Sequence, residues 1–156
     1  MIKKLNKYSY AHGTRYLDNG SRNYDIAGYR LPSVTTILGR TKDDTYLRKW
    51  IAQKGKEEAE RIKIQSATRG TSMHKYLENY VLGRGYEDLT ELGQETKRMA
   101  EKVIEVGLAP VSGFYGSEVT LYYPGLYAGQ TDLVGIHNDK ETIIDFKQAN
   151  RPKKEE

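Results

Sequence analysis

The sequence predicts a mixed α/β (α+β) domain, a small β-sheet flanked by helices. Three observations predict it. From Asp43 to about Gly83, and again from Leu89 to Gly107, apolar residues recur at helical spacing. After Pro110 the period changes to two, the spacing of strands. Near the N-terminus, Asn19-Gly20 sits between two tyrosine-bearing arms, a strong signal for a tight hairpin. The chain has 156 residues, the size of one domain with a real core.

The elements follow in order. "TRYLDNGSRNYDI" gives the N-terminal β-hairpin, because a primed turn needs positive φ at both central residues. In "LPSVTTIL" a helix starts after Pro32, with Ser33 as its N-cap. Tyr46, Leu47, Trp50 and Ile51 mark the next helix, and Met73, Tyr76, Leu77, Tyr80 and Val81 its continuation. Gly70 is expected to break the run between the two. Tyr46, Tyr76 and Tyr80 fall at core spacing. "LTELGQETKRMAEKVIEVG" is a further helix with Leu92, Met99, Val103 and Val106 inward and Gly107 as its stop. "YGSEVTLYY", "LYAGQTDLVGI" and "ETIIDFK" are three strands, the last two joined by a turn at "HNDK".

Composition excludes several classes. Zero cysteines rule out a disulfide framework, an Fe–S cluster and a cysteine zinc site. No long apolar run could span a membrane, and "MIKKLNKYSY" lacks the apolar core of a secretory signal. A cytoplasmic protein is expected. The net charge is +4. Of 25 basic and 21 acidic residues, 9 and 5 lie between Arg40 and Arg69, leaving 16 of each elsewhere. A local basic surface suits a polyanion, although a solvated helix face carries the same pattern.

The strands carry more polar groups than core strands need. Glu118 lies on the first, Asp132 on the second, and Asp145 with Lys147 on the third, where side chains two apart share a face. Short turns make these strands neighbours, so the carboxylates converge. Converging carboxylates repel, and a divalent cation such as Mg²⁺ relieves the repulsion. Lys147 can neutralise charge and hold a water or a phosphate oxygen. Together these are the parts for metal-assisted phosphodiester hydrolysis. Surface salt bridges on a half-exposed sheet are the alternative.

"AGQTDLVGIHNDKETIIDFK" resembles the core of the PD-(D/E)XK nuclease superfamily, and more closely its RecB-type exonuclease branch: Gly-x-x-Asp, a hairpin, then Asp-aromatic-Lys. "RGTSMH", residues 69 to 74, is similar to the Arg-Gly-x-x-x-His motif of that branch. "LPSVTTIL" resembles the segment after the N-terminal hairpin in phage exonucleases and in mitochondrial genome maintenance exonuclease. The three stand in the family's order and cover residues from about 14 to 153.

The resemblance implies a restriction-endonuclease-like core and a role for each matching residue. Asp132 and Asp145 would be metal ligands, with the carbonyl of Phe146 and the imidazole of His74, a set suited to Mg²⁺ or Mn²⁺. Lys147 would position water and stabilise developing charge. Glu118 matches the acidic position one strand earlier. Ser33, Thr35, Thr36 and Arg69 would contact phosphates of DNA, although Ser33 as a plain N-cap needs no DNA. The function implied is a metal-dependent DNA exonuclease of phage or recombination and repair type, acting on ends of linear DNA, single- or double-stranded. The alternatives are an inactive nucleic-acid-binding module of the same fold and a structural domain whose polar strands are incidental.

Two departures stand out. Gln148 follows the motif lysine where the family has Thr or Ser. The chain ends at "RPKKEE", where the family continues with a helix bearing Gln-x-x-x-Tyr and further strands. The expectation is therefore a single nuclease domain, residues 1–156, short of its C-terminal helix and strands, with residues 150–156 a mobile end or the start of a continuation. Some relatives form rings and others act alone, so the resemblance leaves the oligomeric state open.

Overall fold

The computed structural model describes residues 1–149, and the expectation for residues 150–156 lies outside the described residues. The class is mixed α/β, as the sequence predicts: the described residues form four α-helices against a four-stranded and a three-stranded sheet. The small sheet comprises β2 (Gly13–Asp18), β3 (Ser21–Ile26) and β4 (Tyr29–Pro32), all antiparallel. Asn19 and Gly20 both have positive φ, 48° and 77°, and Asp18 pairs with Ser21 across the turn. This is the primed hairpin that Asn-Gly predicts.

The larger sheet has the order β1-β5-β6-β7. β5 (Val111–Tyr123), β6 (Tyr127–His137) and β7 (Lys140–Ile144) form the expected antiparallel meander. Asn138 and Asp139, both at positive φ, close the β6–β7 turn. β1 (Lys3–Lys4), which adds to β5 in parallel, has no counterpart among the strands expected from the sequence. Two lysines carry no strand pattern, and the pairing is made by the Leu5 amide donating to the Phe114 carbonyl at 2.7 Å. A bridge between Ser33 and Ala128 links the two sheets, and Ala128 is buried with Tyr24, Ile26 and Leu31.

The helices are α1 (Val34–Thr41), α2 (Thr45–Lys54), α3 (Lys56–Val81) and α4 (Glu91–Lys102), the last continuing as a π-helical turn, Val103–Gly107. Ser33 caps α1 as expected, its hydroxyl accepting from the Thr36 amide at 3.0 Å. The break in the helical run is at Gly55, not Gly70. Gly55 sits at φ 83°, where a side chain is strained, whereas Gly70 lies inside α3. A glycine inside a helix costs about 1 kcal/mol relative to alanine. The burial of Met73, Leu77 and Val81 against Phe114, Leu133 and Ala100 outweighs that.

Periodicity also overstated the core. Tyr76 is buried, but Tyr80 is at the surface and Tyr46 is 82% exposed. The reason is that α2 packs mainly on α3, as an arm outside the main core, and contains no buried residue. On α4 the buried positions are Gly93, Thr96 and Ala100; Val106 faces solvent because the π-helical turn rotates it away from the α-helical register. No helix among the described residues is long and apolar enough to cross a membrane.

Candidate metal and nucleic-acid site

A groove of about 970 Å³ runs between the β2–β3 hairpin, the start of α1, the middle of α3 and the β5–β6–β7 meander. Seven residues singled out from the sequence line it: Ser33, Thr35, His74, Glu118, Asp132, Asp145 and Lys147. They come from α1 and its cap, α3, β5, β6 and the segment after β7.

The centre of the site is built on Phe146. Its ring is buried in the core and meets the His74 ring edge-on, centroids 6.2 Å apart. Burying the ring fixes both backbone groups. The Phe146 amide donates to Asp132 Oδ2 at 2.5 Å, and its carbonyl lies 2.9 Å from His74 Nε2. Here the structure corrects the strand expected over residues 141–147. β7 ends at Ile144, and two residues on the Phe146 amide donates to a side chain of β6 rather than to its backbone. The Thr131 hydroxyl makes a similar reach to the Ile144 carbonyl at 3.3 Å. Asp145 and Lys147 still turn to one side, with Lys147 Nζ 2.6 Å from Asp145 Oδ2.

His74 is held from both sides. Nδ1 lies 2.7 Å from the Gly70 carbonyl one turn earlier on α3. A carbonyl only accepts, so Nδ1 carries the proton. Nε2 then faces two more acceptors, Phe146 O at 2.9 Å and Asp132 Oδ2 at 3.2 Å. A bare lone pair aimed at two oxygens is repulsive. The position calls for a proton or a metal cation. With a proton, the hydrogen bond to Asp132 raises the imidazole pKa to about 9, against the opposing effect of burial. Burial pushes Asp132 upward, but its bonds to His74 and the Phe146 amide outweigh that and hold it below the usual carboxylate range.

Glu118 stands at φ 53°. The pairs on either side, Ser117 with Leu133 and Val119 with Thr131, put it opposite Asp132. Burial first, then the charges of Asp132 and Glu78, raise its pKa. It has a partner that the sequence did not suggest, since Gln130 donates to Glu118 Oε2 from the β6 strand.

The donor set fits a hard divalent cation in part. One imidazole nitrogen, one carboxylate oxygen and one carbonyl oxygen meet at His74 Nε2, a set that suits Mn²⁺ or Mg²⁺. Asp145 is engaged by Lys147, and no three His, Asp or Glu side chains among the described residues lie close enough to form a metal cluster by themselves.

The residues expected at phosphates divide. Thr35 lines the groove. Ser33 is 1% exposed, and its hydroxyl serves Thr35, Thr36 and the Thr36 amide, so its place in the structure is that of a cap. The Thr36 hydroxyl donates to the Arg22 carbonyl, tying α1 to β3. Arg69 is not in the groove lining; it lies against Glu95 of α4 at 3.2 Å. The groove instead has Arg15 and Arg22, which sequence reasoning passed over. Arg15 pairs with Tyr24 and Leu17 with Arg22, so both arginines stand on one face of the hairpin. The signal was available in the sequence, as flanking positions around Asn19-Gly20. No protein-family model matches this chain, and no curated protein matches it either.

Proposed function

We propose that the chain is a divalent-metal-dependent DNA exonuclease of phage or recombination type, hydrolysing phosphodiester bonds from DNA ends. One observation supports the reading most: His74 Nε2, Asp132 Oδ2 and the Phe146 carbonyl converge on one point in a groove that also presents Asp145 and Lys147. His74, Asp132 and the Phe146 carbonyl would hold Mg²⁺ or Mn²⁺, with Asp145 completing the set. The cation supplies Lewis-acid chemistry, polarising the phosphate and making water a stronger nucleophile. The protein's own groups do the rest. The Gly70 carbonyl fixes the His74 tautomer, and the Phe146 amide orients Asp132. Lys147 brings a positive charge to a phosphate oxygen or an attacking water. Glu118, with its raised pKa, is suited to holding a proton beside Asp132.

The Lys147–Asp145 contact at 2.6 Å favours a second reading, a nucleic-acid-binding module of the same fold without turnover. The test compares end-labelled linear DNA, single- and double-stranded, with closed circles in Mg²⁺, Mn²⁺ or EDTA, beside Asp145→Ala. Metal-dependent loss of linear DNA alone, absent in the variant, is the expected result. Binding without cleavage of any substrate would replace the exonuclease with the binding module.

A further inference from the structure

Tyr122, Tyr123 and Tyr127 line a recess of about 290 Å³ at the tip of the β5–β6 hairpin. Tyr29, at the start of β4, adds a fourth ring 6.1 Å from that of Tyr122, and the Tyr123 and Tyr127 rings are 5.9 Å apart. Val34, Gly129 and Gln130 line both this recess and the groove, so the two adjoin.

Three tyrosines elsewhere have their hydroxyls committed within the fold. The Tyr76 hydroxyl is bonded to the Asp88 backbone, and those of Tyr8 and Tyr115 to Glu141. The hydroxyls of Tyr29, Tyr122, Tyr123 and Tyr127 have no protein partner among the described residues, and the rings are open to solvent, Tyr123 most of all at 56%. A cross-strand pair beside the turn accounts for Tyr123 with Tyr127. It does not account for Tyr29 and Tyr122, left exposed where two sheets meet. On the hairpin wall of the same groove, neither Arg15 nor Arg22 has a carboxylate partner among the described residues. Open aromatic faces in a recess that adjoins a groove bearing two guanidinium groups suit one ligand chemistry, a polyanionic strand with unstacked bases.

We infer that the tyrosine recess is a base-stacking subsite for nucleotides flanking the scissile phosphate, with Arg15 and Arg22 holding their phosphates. The inference rests on the exonuclease reading for the position of the scissile bond. It requires the bases at the subsite to be unpaired.

The test is fluorescence anisotropy on the full chain in EDTA, so that nothing is cleaved. Three labelled probes of about 15 nucleotides are compared, a length near the upper site size of single-strand binders: an oligothymidylate, a blunt duplex and a fully abasic strand. The wild type is expected to bind the oligothymidylate about tenfold or more tighter than the abasic strand. Replacing Tyr122, Tyr123 and Tyr127 by Leu should remove that difference, and replacing them by Phe should keep it. Tyr123→Leu alone gives a smaller loss and serves if the triple variant does not fold. Arg15→Gln with Arg22→Gln should weaken all three probes alike and flatten the salt dependence. Equal binding of base-bearing and abasic strands, or full affinity in the folded Leu variants, overturns the subsite. The two readings separate cleanly: stacking preference without cleavage in Mn²⁺ removes the exonuclease and leaves the subsite, and cleavage without stacking preference does the reverse. No binding to any probe overturns the subsite, and no cleavage of the same strands in Mn²⁺ overturns the exonuclease.

Discussion

Replacing Asp132 by Asn isolates the charge at the centre of the site. Asn can still accept from the Phe146 amide, so the geometry is kept and the carboxylate is lost. The magnitude follows from His74. Its pKa is about 9 in the folded protein, mainly through Asp132, against 6.5 for the free side chain. A raised pKa contributes stability that is complete below 6.5 and is lost as pH rises through 9. The side chains are well shielded, 28% exposed for His74 and 13% for Asp132, so the shift converts without a large solvent discount. At about 1.4 kcal/mol per pH unit, the full effect is about 3 kcal/mol at pH 5.5, about 2 at pH 7.5 and under about 0.5 at pH 9.5. Relief of Glu118, which the charge of Asp132 raises, reduces the figure somewhat. The assay is urea unfolding of both proteins in EDTA at the three pH values. Asp132→Asn should be least stable relative to wild type at pH 5.5, with the gap closing by pH 9.5. A gap that does not change with pH would refute the reasoning, because the imidazolium–carboxylate pair would then not exist.

Other predictions follow from the same geometry. On the proposed metal site Mn²⁺ would compete with a proton for His74 Nε2, so calorimetry in two buffers of different ionisation enthalpy should show about one proton released per Mn²⁺ at pH 7, and none in His74→Ala. Gly135→Ala places a Cβ 2.6 Å from the Gly113 carbonyl across the β5–β6 ladder, and should cost about 2 kcal/mol or more in denaturant unfolding. Leu77→Ala leaves a cavity in the centre of the core and should cost 2 to 5 kcal/mol, roughly, by the same measurement. Glu141 binds Lys7, Tyr8 and Tyr115, and the Lys7 bond most of all holds its pKa down to about 2. A depressed acid keeps its contribution above its usual value of 4.5 and loses it as pH falls toward 2. Exchange of the Leu5 amide should therefore accelerate between pH 4.5 and 2, after correction for intrinsic rates, and should already be faster in Glu141→Gln at pH 7.

Much of this was legible in the sequence, and what was not has identifiable causes. Local signals served well where one residue type has one conformational use. Asn19-Gly20 made its hairpin, Ser33 its cap, and the period of two after Pro110 its meander. Failures came where a distant partner decided the outcome. Gly70 looked like a helix breaker because nothing local shows that α3 is anchored by Met73, Leu77 and Val81. Tyr46 looked buried because periodicity reports a stripe, not whether anything covers it. The contact of Arg69 with Glu95 on α4 was not legible either, because it depends on how α3 and α4 pack.

The end of β7 shows why the site itself was both readable and misread. Asp-x-Lys on a strand predicts two side chains on one face, and Asp145 and Lys147 do share one side. The strand explanation fails, since the ladder stops at Ile144. What replaces it is Phe146, whose buried ring leaves its amide and carbonyl free to serve Asp132 and His74. The buried aromatic ring between Asp145 and Lys147 thus anchors the backbone to which Asp132 and His74 bond. Phe146→Ala keeps every charged group but removes the anchor. If the anchor matters, that variant should lose the pH-dependent coupling of His74 to Asp132 together with its core stability. An unchanged His74 titration in folded Phe146→Ala, followed by NMR, would show that backbone position alone holds the site.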